Sequence, residues 1–464
     1  MRFPDQNGCN VTVTQLMSEE LSTEAIEAQV ERILGSEQFA RSRRLRNLLR
    51  FTVSQTLQGN AESLKEYLIG TEVLNKPDSY DPRSDSLVRV LASRLRLKLK
   101  EYYRDGGNQD PLLIDFPKGR YVPCFRRRDQ LRTENENKVR ARAAYSCGRF
   151  LAAKLTDEAL GESIAHFNEA IAADSSWPLA YIGLANVYAF QALMGFRRPR
   201  EVWPLARAAA QTALQIDEMS SKAHIVLALE RVFFEWHWED AEAHLVKALE
   251  TDPYSGFGHL WRAIAWLIPM GRLSAANEEI ARACELGPSN SLEEAKALAA
   301  YFSEQYDAAL HVTKDLAPAG ASPTWLPWLR GAVLAVSGRH GAAINLLRRL
   351  PVGSYEGTQV TSTLGYAYGA AGQRDKAQEL LTALQAKRER GTWISNFDLA
   401  LIQTGLGNRA EALTCLQESL REKEPWLVYL TVDPRLSPLR AASKFPAFVK
   451  RIGLTHAEVA SSAM

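Results

Sequence analysis

The sequence predicts a mainly α-helical protein in two parts: a basic N-terminal unit that ends in a β-hairpin, and a longer array of paired helices. Charge separates the parts, since residues 24–128 carry 20 Lys and Arg against 14 Asp and Glu, whereas residues 129–464 carry 35 against 37. Small and large apolar residues recur about every 34 residues from Ala144 onward, a period typical of stacked helical hairpins. The positive excess favours a polyanionic partner for the N-terminal part.

The N-terminal unit is predicted to contain four helices, because its apolar residues recur at helical spacing. The predicted helices cover Thr23–Leu34, Ser42–Leu57, Ala61–Leu74 and Ser84–Tyr103. Ser22 and Ser84 are expected to cap two of them, since a serine side chain accepts hydrogen bonds from the first free N–H groups of a helix. Residues 1–21 lack such spacing and are expected to form a poorly ordered arm.

The fourth predicted helix has two contrasting faces. Leucines at positions 87, 91, 95 and 99 recur every fourth residue and are expected to form a buried stripe. Basic and polar residues form a ridge on another side. The ridge consists of Arg89, Ser93, Arg94, Arg96, Lys98 and Lys100. Such a helix, fixed by its leucines, is suited to presenting positive charge to a partner.

A β-hairpin is predicted at Leu112–Phe125, because apolar and polar residues alternate on both sides of a Pro117–Arg120 turn. Lys118 and Arg120 give the turn a basic tip. The sequence Arg94-Leu95-Arg96-x-Lys98-Leu99, followed by Ile114 and then by Lys118-Gly119-Arg120-Tyr121, resembles the OmpR/PhoB-type winged helix-turn-helix domain. The resemblance covers residues 42–125.

The resemblance implies that Ser84–Tyr103 is a recognition helix and Leu112–Phe125 a wing. It implies contacts to double-stranded DNA from Arg89, Ser93, Arg94, Arg96, Lys118 and Arg120. Lys98 and Lys100 of the basic ridge are expected to bind the same DNA. Such contacts are also expected on chemical grounds. A helix fits the major groove of DNA, where Arg side chains can pair with guanine, and other Lys and Arg side chains bind phosphates. Two features depart from the family pattern: helical Thr23–Leu34 stands where the family has a small sheet, and Arg120 stands in place of a glycine.

Residues 129–143 are rich in charge and are expected to be a linker between the N-terminal domain, 22–128, and the array. About eight repeat units are expected in residues 144–423, followed by C-terminal capping helices in residues 424–464. The clearest unit contains Leu364, Gly365, Tyr368, Gly372 and Ala377. These residues resemble the tetratricopeptide repeat, in which small side chains let two antiparallel helices approach closely. The fold class is therefore a winged helix followed by an α-α superhelix.

The concave surface of such an array is expected to be an apolar groove. The residues predicted to line it are Ile182, Asn186, Phe190, Ile225, Leu229, Phe233, Leu260 and Ile264. An apolar groove suits a partner helix or peptide, and tight packing of the superhelix on itself explains it equally well. Ile182 stands where chaperone-binding arrays have lysine, so a carboxylate-binding site is not predicted.

The combination of a winged helix and a repeat array also resembles CadC-type activators, many of which have a membrane helix between the two parts. No run here approaches the roughly 18 apolar residues of a membrane span, and no signal peptide is recognised. Five widely spaced cysteines and the absence of metal-ligand spacings predict a reduced, cytoplasmic protein without metal or cofactor. No catalytic motif is recognised, so an enzyme is not expected.

The resulting prediction is a transcriptional regulator. Its winged helix would bind operator DNA, with a homodimer on DNA as a further expectation, and its array would bind a protein partner or effector. The alternative is an adaptor in which the winged helix docks on protein and DNA plays no part.

Overall fold

The computed structural model describes residues 21–287, 290–314, 326–350 and 359–454. Its contacts divide the chain into two compact units, with the boundary between Lys138 and Val139. Of the predicted N-terminal arm only Leu21 belongs to the described residues, and residues 455–464 of the predicted capping segment also lie outside them.

The N-terminal unit consists of helices followed by a pair of antiparallel strands. Its elements up to Arg127 are α1 Thr23–Gly35, α2 Glu37–Ala40, α3 Arg43–Leu57, a 3₁₀ turn Ala61–Ser63, α4 Glu66–Leu74, α5 Leu87–Arg104, β1 Leu112–Asp115 and β2 Cys124–Arg127. Ile114 of β1 pairs with Phe125 of β2. The third predicted helix is divided, because Leu64 and Lys65 separate the 3₁₀ turn from α4. The second strand begins near the end of the predicted hairpin and extends beyond it.

One of the two predicted helix caps is present. Ser22 accepts a hydrogen bond from the N–H of Ala25 at the start of α1, at 3.2 Å. Ser84 was a wrong prediction, because α5 begins at Leu87 and the carboxylate of Asp85 accepts the N–H of Leu87 at 2.9 Å. The Ser84 hydroxyl instead donates to the carbonyl of Asp81.

The core of the N-terminal unit forms around the inner face of α5. Leu91, Leu95 and Leu99 are buried there, as the leucine stripe predicts. Leu87 is only partly buried, and Val88 takes the innermost place in that turn. A strict four-residue spacing drifts around a helix of 3.6 residues per turn, so the stripe leaves the core at its end. Each buried leucine contributes roughly 1.5–3 kcal/mol to folding.

The second unit is built from successive helix pairs. Taken two at a time, α6 to α21 make eight pairs among the described residues. The helices are α6 Arg128–Ala152, α7 Asp157–Ala173, α8 Pro178–Leu193, α9 Pro199–Ile216, α10 Ser221–Glu230, α11 Trp238–Thr251, α12 Gly256–Trp261, α13 Leu273–Glu285, α14 Asn290–Phe302, α15 Tyr306–Val312, α16 Leu326–Val336, α17 His340–Leu347, α18 Gln359–Ala370, α19 Arg374–Glu389, α20 Asn396–Gly405 and α21 Arg409–Glu422. π-helical segments extend α10 and α12 through Glu235 and Leu267.

Small residues allow close packing within and between pairs, as predicted. A Cβ on Gly331 would lie 2.4 Å from the Leu347 side chain of the paired helix. A Cβ on Gly369 would lie 2.4 Å from the backbone of Gly405, so α18 and α20 touch main chain to main chain. From α8 onward, each first helix packs on its own partner, and most also pack on the first helix of the next pair, which produces a stacked array.

Two boundary predictions differ from the structure. The stretch 129–143, expected to be a linker, lies inside helix α6, where oppositely charged neighbours such as Arg132 and Glu136 support a helix. The described part of the tail, 424–454, is not a stack of capping helices at the end of the array. It contains two 3₁₀ segments, Pro425–Tyr429 and Pro434–Leu439, and one short helix, α22 Phe445–Arg451, and its first part packs inside the array.

Candidate functional site

The solvent face of α5 is the first candidate surface. Its exposed residues are Arg89, Val90, Ser93, Arg94, Leu97, Lys100 and Arg104. Arg94 and Lys100 make no hydrogen bond or ion pair with any described residue, so their charges face solvent. Part of the predicted basic ridge is therefore available to a partner.

Arg96, predicted to contact DNA, instead fixes the turn between β1 and β2. Its Nε donates to the carbonyl of Phe116 at 2.9 Å, and its Nη2 donates to the carbonyls of Pro117 and Arg120 at 3.1 and 2.9 Å. A planar guanidinium has several N–H donors in a fixed arrangement and can reach all three carbonyls, whereas the ammonium group of lysine is a single compact charge. Arg96 thus holds the basic turn against α5, a role that the sequence pattern does not distinguish from a DNA contact.

Two further ridge residues have partners inside the unit. Arg89 donates to the carbonyl of Pro82 at 2.9 Å and lies 3.6 Å from the carboxylate of Glu66. Lys98 pairs with Glu101 at 2.6 Å. Both cations are partly or fully solvent-exposed, but their charge is offset locally, which weakens their attraction for an external anion.

The basic turn has the geometry that its sequence favours. The N–H of Arg120 donates to the carbonyl of Pro117 at 3.2 Å, and Gly119 has φ +76° at the third position. These are the features of a type II turn, which requires a left-handed residue at that position. Lys118 and Arg120 are both exposed, so two cations lie at the tip that Arg96 holds beside α5.

Glu66 connects α4 to the segment after the turn. The hydroxyl of Tyr121 donates to its Oε1 at 2.7 Å. Burial raises the pKa of Tyr121, and the hydrogen bond to Glu66 raises it further. The phenol therefore stays protonated and remains a donor to Glu66 at neutral pH.

The second predicted surface, the apolar groove of the array, is largely covered. Of its eight predicted residues, Ile182, Ile225, Leu229, Phe233, Leu260 and Ile264 are buried, and Asn186 and Phe190 are partly exposed. Ile182 packs with Ala213 and Ala223 of the neighbouring helices. In this conformation these residues do not line an open surface, and packing of the chain on itself, one of the two explanations left open by the sequence, accounts for their apolar character.

Much of the cover is the chain's own inner segment, residues 425–440. Its Tyr429 donates to the carbonyl of Ile264 at 3.0 Å, and its ring stacks on Phe302 with centroids 4.7 Å apart. Trp426 donates from its indole N–H to the carbonyl of Leu193, also at 3.0 Å. The sequence contains one signal for this arrangement, because the run from Leu427 to Val432 is too apolar for an exposed cap.

The beginning of the array also meets its end. Lys423 pairs with Glu235 at 2.7 Å, and the guanidinium of Arg198 lies 5.3 Å from the centre of the Trp393 ring. Arg200 of α9 donates to the carbonyl of Arg421 at the end of α21. Helices α9 and α21 belong to the second and eighth pairs, so the array closes on itself.

In the described part of the chain, the His, Cys, Asp and Glu residues form no group of three that could hold a metal ion. None of its helices is long and apolar enough to cross a membrane.

The chain matches no family model and no curated protein. Among solved structures, yeast Tom70 is similar with a TM-score of 0.39 and 14% identity, over 92% of this chain and 89% of the other. The human IFIT1 dimer with m7Gppp-AAAA is similar with a TM-score of 0.40 and 16% identity, over 88% of this chain and 96% of the other. Because both scores are below 0.5, these likenesses determine neither the fold nor the ligands of this chain.

Proposed function

We propose that this chain is a non-enzymatic interaction protein, a tetratricopeptide array that binds a protein partner, with an N-terminal winged helix that binds double-stranded DNA. The observation that carries the DNA assignment is the solvent face of α5. There Arg94 and Lys100 have no acidic partner among the described residues, and the exposed Lys118–Arg120 turn is held beside the helix. A major groove about 12 Å wide admits one helix, and the turn would meet the flanking backbone.

The test removes charge without touching the core. Full-length protein carrying Arg94→Ala and Lys100→Ala is titrated onto fluorescent DNA duplexes drawn from its own genome at several salt concentrations. Each lost phosphate contact reduces the log–log salt slope by about one unit. The matched control is Arg348→Ala with Arg349→Ala, which removes two exposed cations from the array. Equal affinity and equal slope for the two double variants would refute the assigned DNA surface.

A second candidate is an adaptor whose N-terminal unit docks on protein. The same face of α5 exposes Val90 and Leu97, which are 42% and 59% accessible and lie two turns apart on one side of the helix. Apolar side chains at this spacing suit a partner helix or groove. If wild-type protein binds no duplex even at low salt, this candidate replaces DNA binding.

For the array, the partner surface is expected outside the covered groove. Large apolar side chains are exposed in or beside the turns between successive helix pairs. They are Met219, Tyr254, Phe257 and Leu286. A Cβ on Gly256 would lie 3.8 Å from the Cβ of Leu286, so the last three are close together.

Sedimentation of the wild-type chain and of the Tyr254→Ser/Phe257→Ser variant tests whether a second copy covers this patch. Loss of a wild-type dimer in the variant supports a homodimer. If the wild-type chain sediments as a monomer, the expected partner of this patch is a different protein.

A further inference from the structure

A strongly basic cavity lies at the seam where the array closes. It is widely open to solvent and has a volume of about 570 Å³. Residues from α9, α21, α22 and the turn after the first π-helical segment line it. Five of them are cations, namely Arg200, Arg421, Lys423, Lys444 and Arg451, and none is acidic.

Most of this positive charge is not neutralised. Glu418 pairs with Arg421 at 2.5 Å and Glu235 pairs with Lys423 at 2.7 Å, both from outside the lining. Arg200 donates to a neutral carbonyl, while Lys444 and Arg451 contact no acidic group among the described residues. Three cations thus face one cavity without a counter-charge, an arrangement that attracts anions.

The cavity also offers an apolar wall. Leu420 and Phe448 contribute apolar surface, and Phe448 is buried. Trp236 lines the cavity and is the left-handed residue, φ +60°, that ends the first π-helical segment. Its indole N–H is buried and has no acceptor among the described residues.

We propose that this cavity binds a small phosphorylated molecule with at least two negative charges and an apolar or aromatic portion. Arg and Lys are the side chains that bind phosphate oxygens, and the wall formed by Leu420 and Phe448 receives the apolar portion. Because its lining residues come from both α9 and α21, the bound molecule would hold the two ends of the array together. Such a ligand binds only the folded chain and therefore raises its melting temperature.

The experiment titrates full-length protein with ATP, with inorganic tripolyphosphate and with adenosine, by calorimetry and by thermal unfolding. ATP is expected to bind saturably at one site and to raise the melting temperature, tripolyphosphate to bind more weakly, and adenosine not to bind. The variant Lys444→Ala/Arg451→Ala is expected to bind ATP at least tenfold more weakly. The control is Lys450→Ala, an exposed cation of α22 that does not line the cavity.

Three outcomes would overturn the proposal. The first is no saturable binding of either polyphosphate, and the second is equal ATP affinity for the Lys444→Ala/Arg451→Ala variant and the Lys450→Ala control. The third is loss of ATP binding in the Arg94→Ala/Lys100→Ala variant, which would place the phosphates on α5. Equal affinity for tripolyphosphate and ATP would refute the apolar part of the assignment. None of these outcomes depends on whether the protein binds DNA.

Discussion

The guanidinium of Arg435 lies 2.7 Å from the carboxylate of Asp433 in the interior of the array, and both side chains are almost fully buried. The pair is completed by the hydroxyl of Tyr301, which donates to Asp433 at 3.0 Å, and by Thr363, which accepts from Arg435 at 3.1 Å. Burial raises the pKa of Tyr301 well above its usual value, so its hydroxyl stays a donor. The inner segment is therefore held in the array by a buried ion pair as well as by apolar contacts.

Replacing Arg435 with Met should destabilise the array strongly. Asp433 would be left as an uncompensated buried charge, and breaking a buried pair in this way costs about 3–5 kcal/mol. The control is Arg339→Met, which removes an exposed pair with Asp307 at 2.9 Å and should cost at most about 1 kcal/mol. Chemical denaturation measures both free energies of unfolding. Equal, small losses would show that the buried pair does not hold the inner segment.

Tyr429→Phe tests the hydrogen bond between the inner segment and the π-helical segment that extends α12. The substitution keeps the ring but leaves the carbonyl of Ile264 without its donor, and an unsatisfied buried acceptor costs roughly 1–3 kcal/mol. Tyr254→Phe is the control, since that side chain is 80% exposed and should change the free energy of unfolding little. A Tyr429→Phe protein as stable as wild type would contradict the contact.

Gly405→Ala should be harmful because α18 and α20 touch through their backbones. The added Cβ would lie 2.5 Å from the carbonyl oxygen of Tyr366, and overpacking of this kind typically costs about 1–3 kcal/mol. Gly341→Ala is the control, because a Cβ there meets nothing within 4 Å and alanine favours a helix by up to about 1 kcal/mol. The two variants should shift the melting temperature in opposite directions.

Arg96→Lys should loosen the basic turn although it conserves charge. One ammonium cannot reproduce the fork that reaches the carbonyls of Phe116, Pro117 and Arg120. Hydrogen exchange at residues 117–121 is expected to become faster in Arg96→Lys and to remain unchanged in Arg94→Lys, whose side chain makes no such contacts. Unchanged hydrogen exchange in both variants would contradict the claim that Arg96 holds the turn in place.

Helices and their pairing could be predicted from the sequence because they depend on local spacing, as in the leucine stripe of α5 and the small residues of the array. The surroundings of individual Arg and Lys side chains could not be predicted from the sequence. Arg94 and Arg96 are two residues apart in one motif, yet one faces solvent and the other bonds to three carbonyls. That difference depends on where a turn more than 20 residues away is placed. The burial of Phe233 under Tyr429 likewise depends on a contact between distant parts of the chain, which no local pattern reports.

His224 and His244 should make stability depend on pH. Their Nδ1 atoms lie 3.0 Å apart, so one ring must donate and the other accept, and two protonated rings cannot make this bond. Burial lowers the pKa of His224, and the charge of Lys247 lowers it further. Burial also lowers the pKa of His244, and the charge of His224 lowers it further.

Near pH 6.5 the unfolded state binds protons more readily than the folded state, so the free energy of unfolding falls as pH falls. Stability from this pair is fully present above the unfolded pKa of about 6.5 and is lost as pH falls below it. The free energy of unfolding should therefore decline between pH 7.5 and pH 5.5, and His244→Gln should decline less over the same range. Between pH 7.5 and pH 8.5 the two proteins should show the same slope. If the acid slope is unchanged in His244→Gln, other groups govern the acid response.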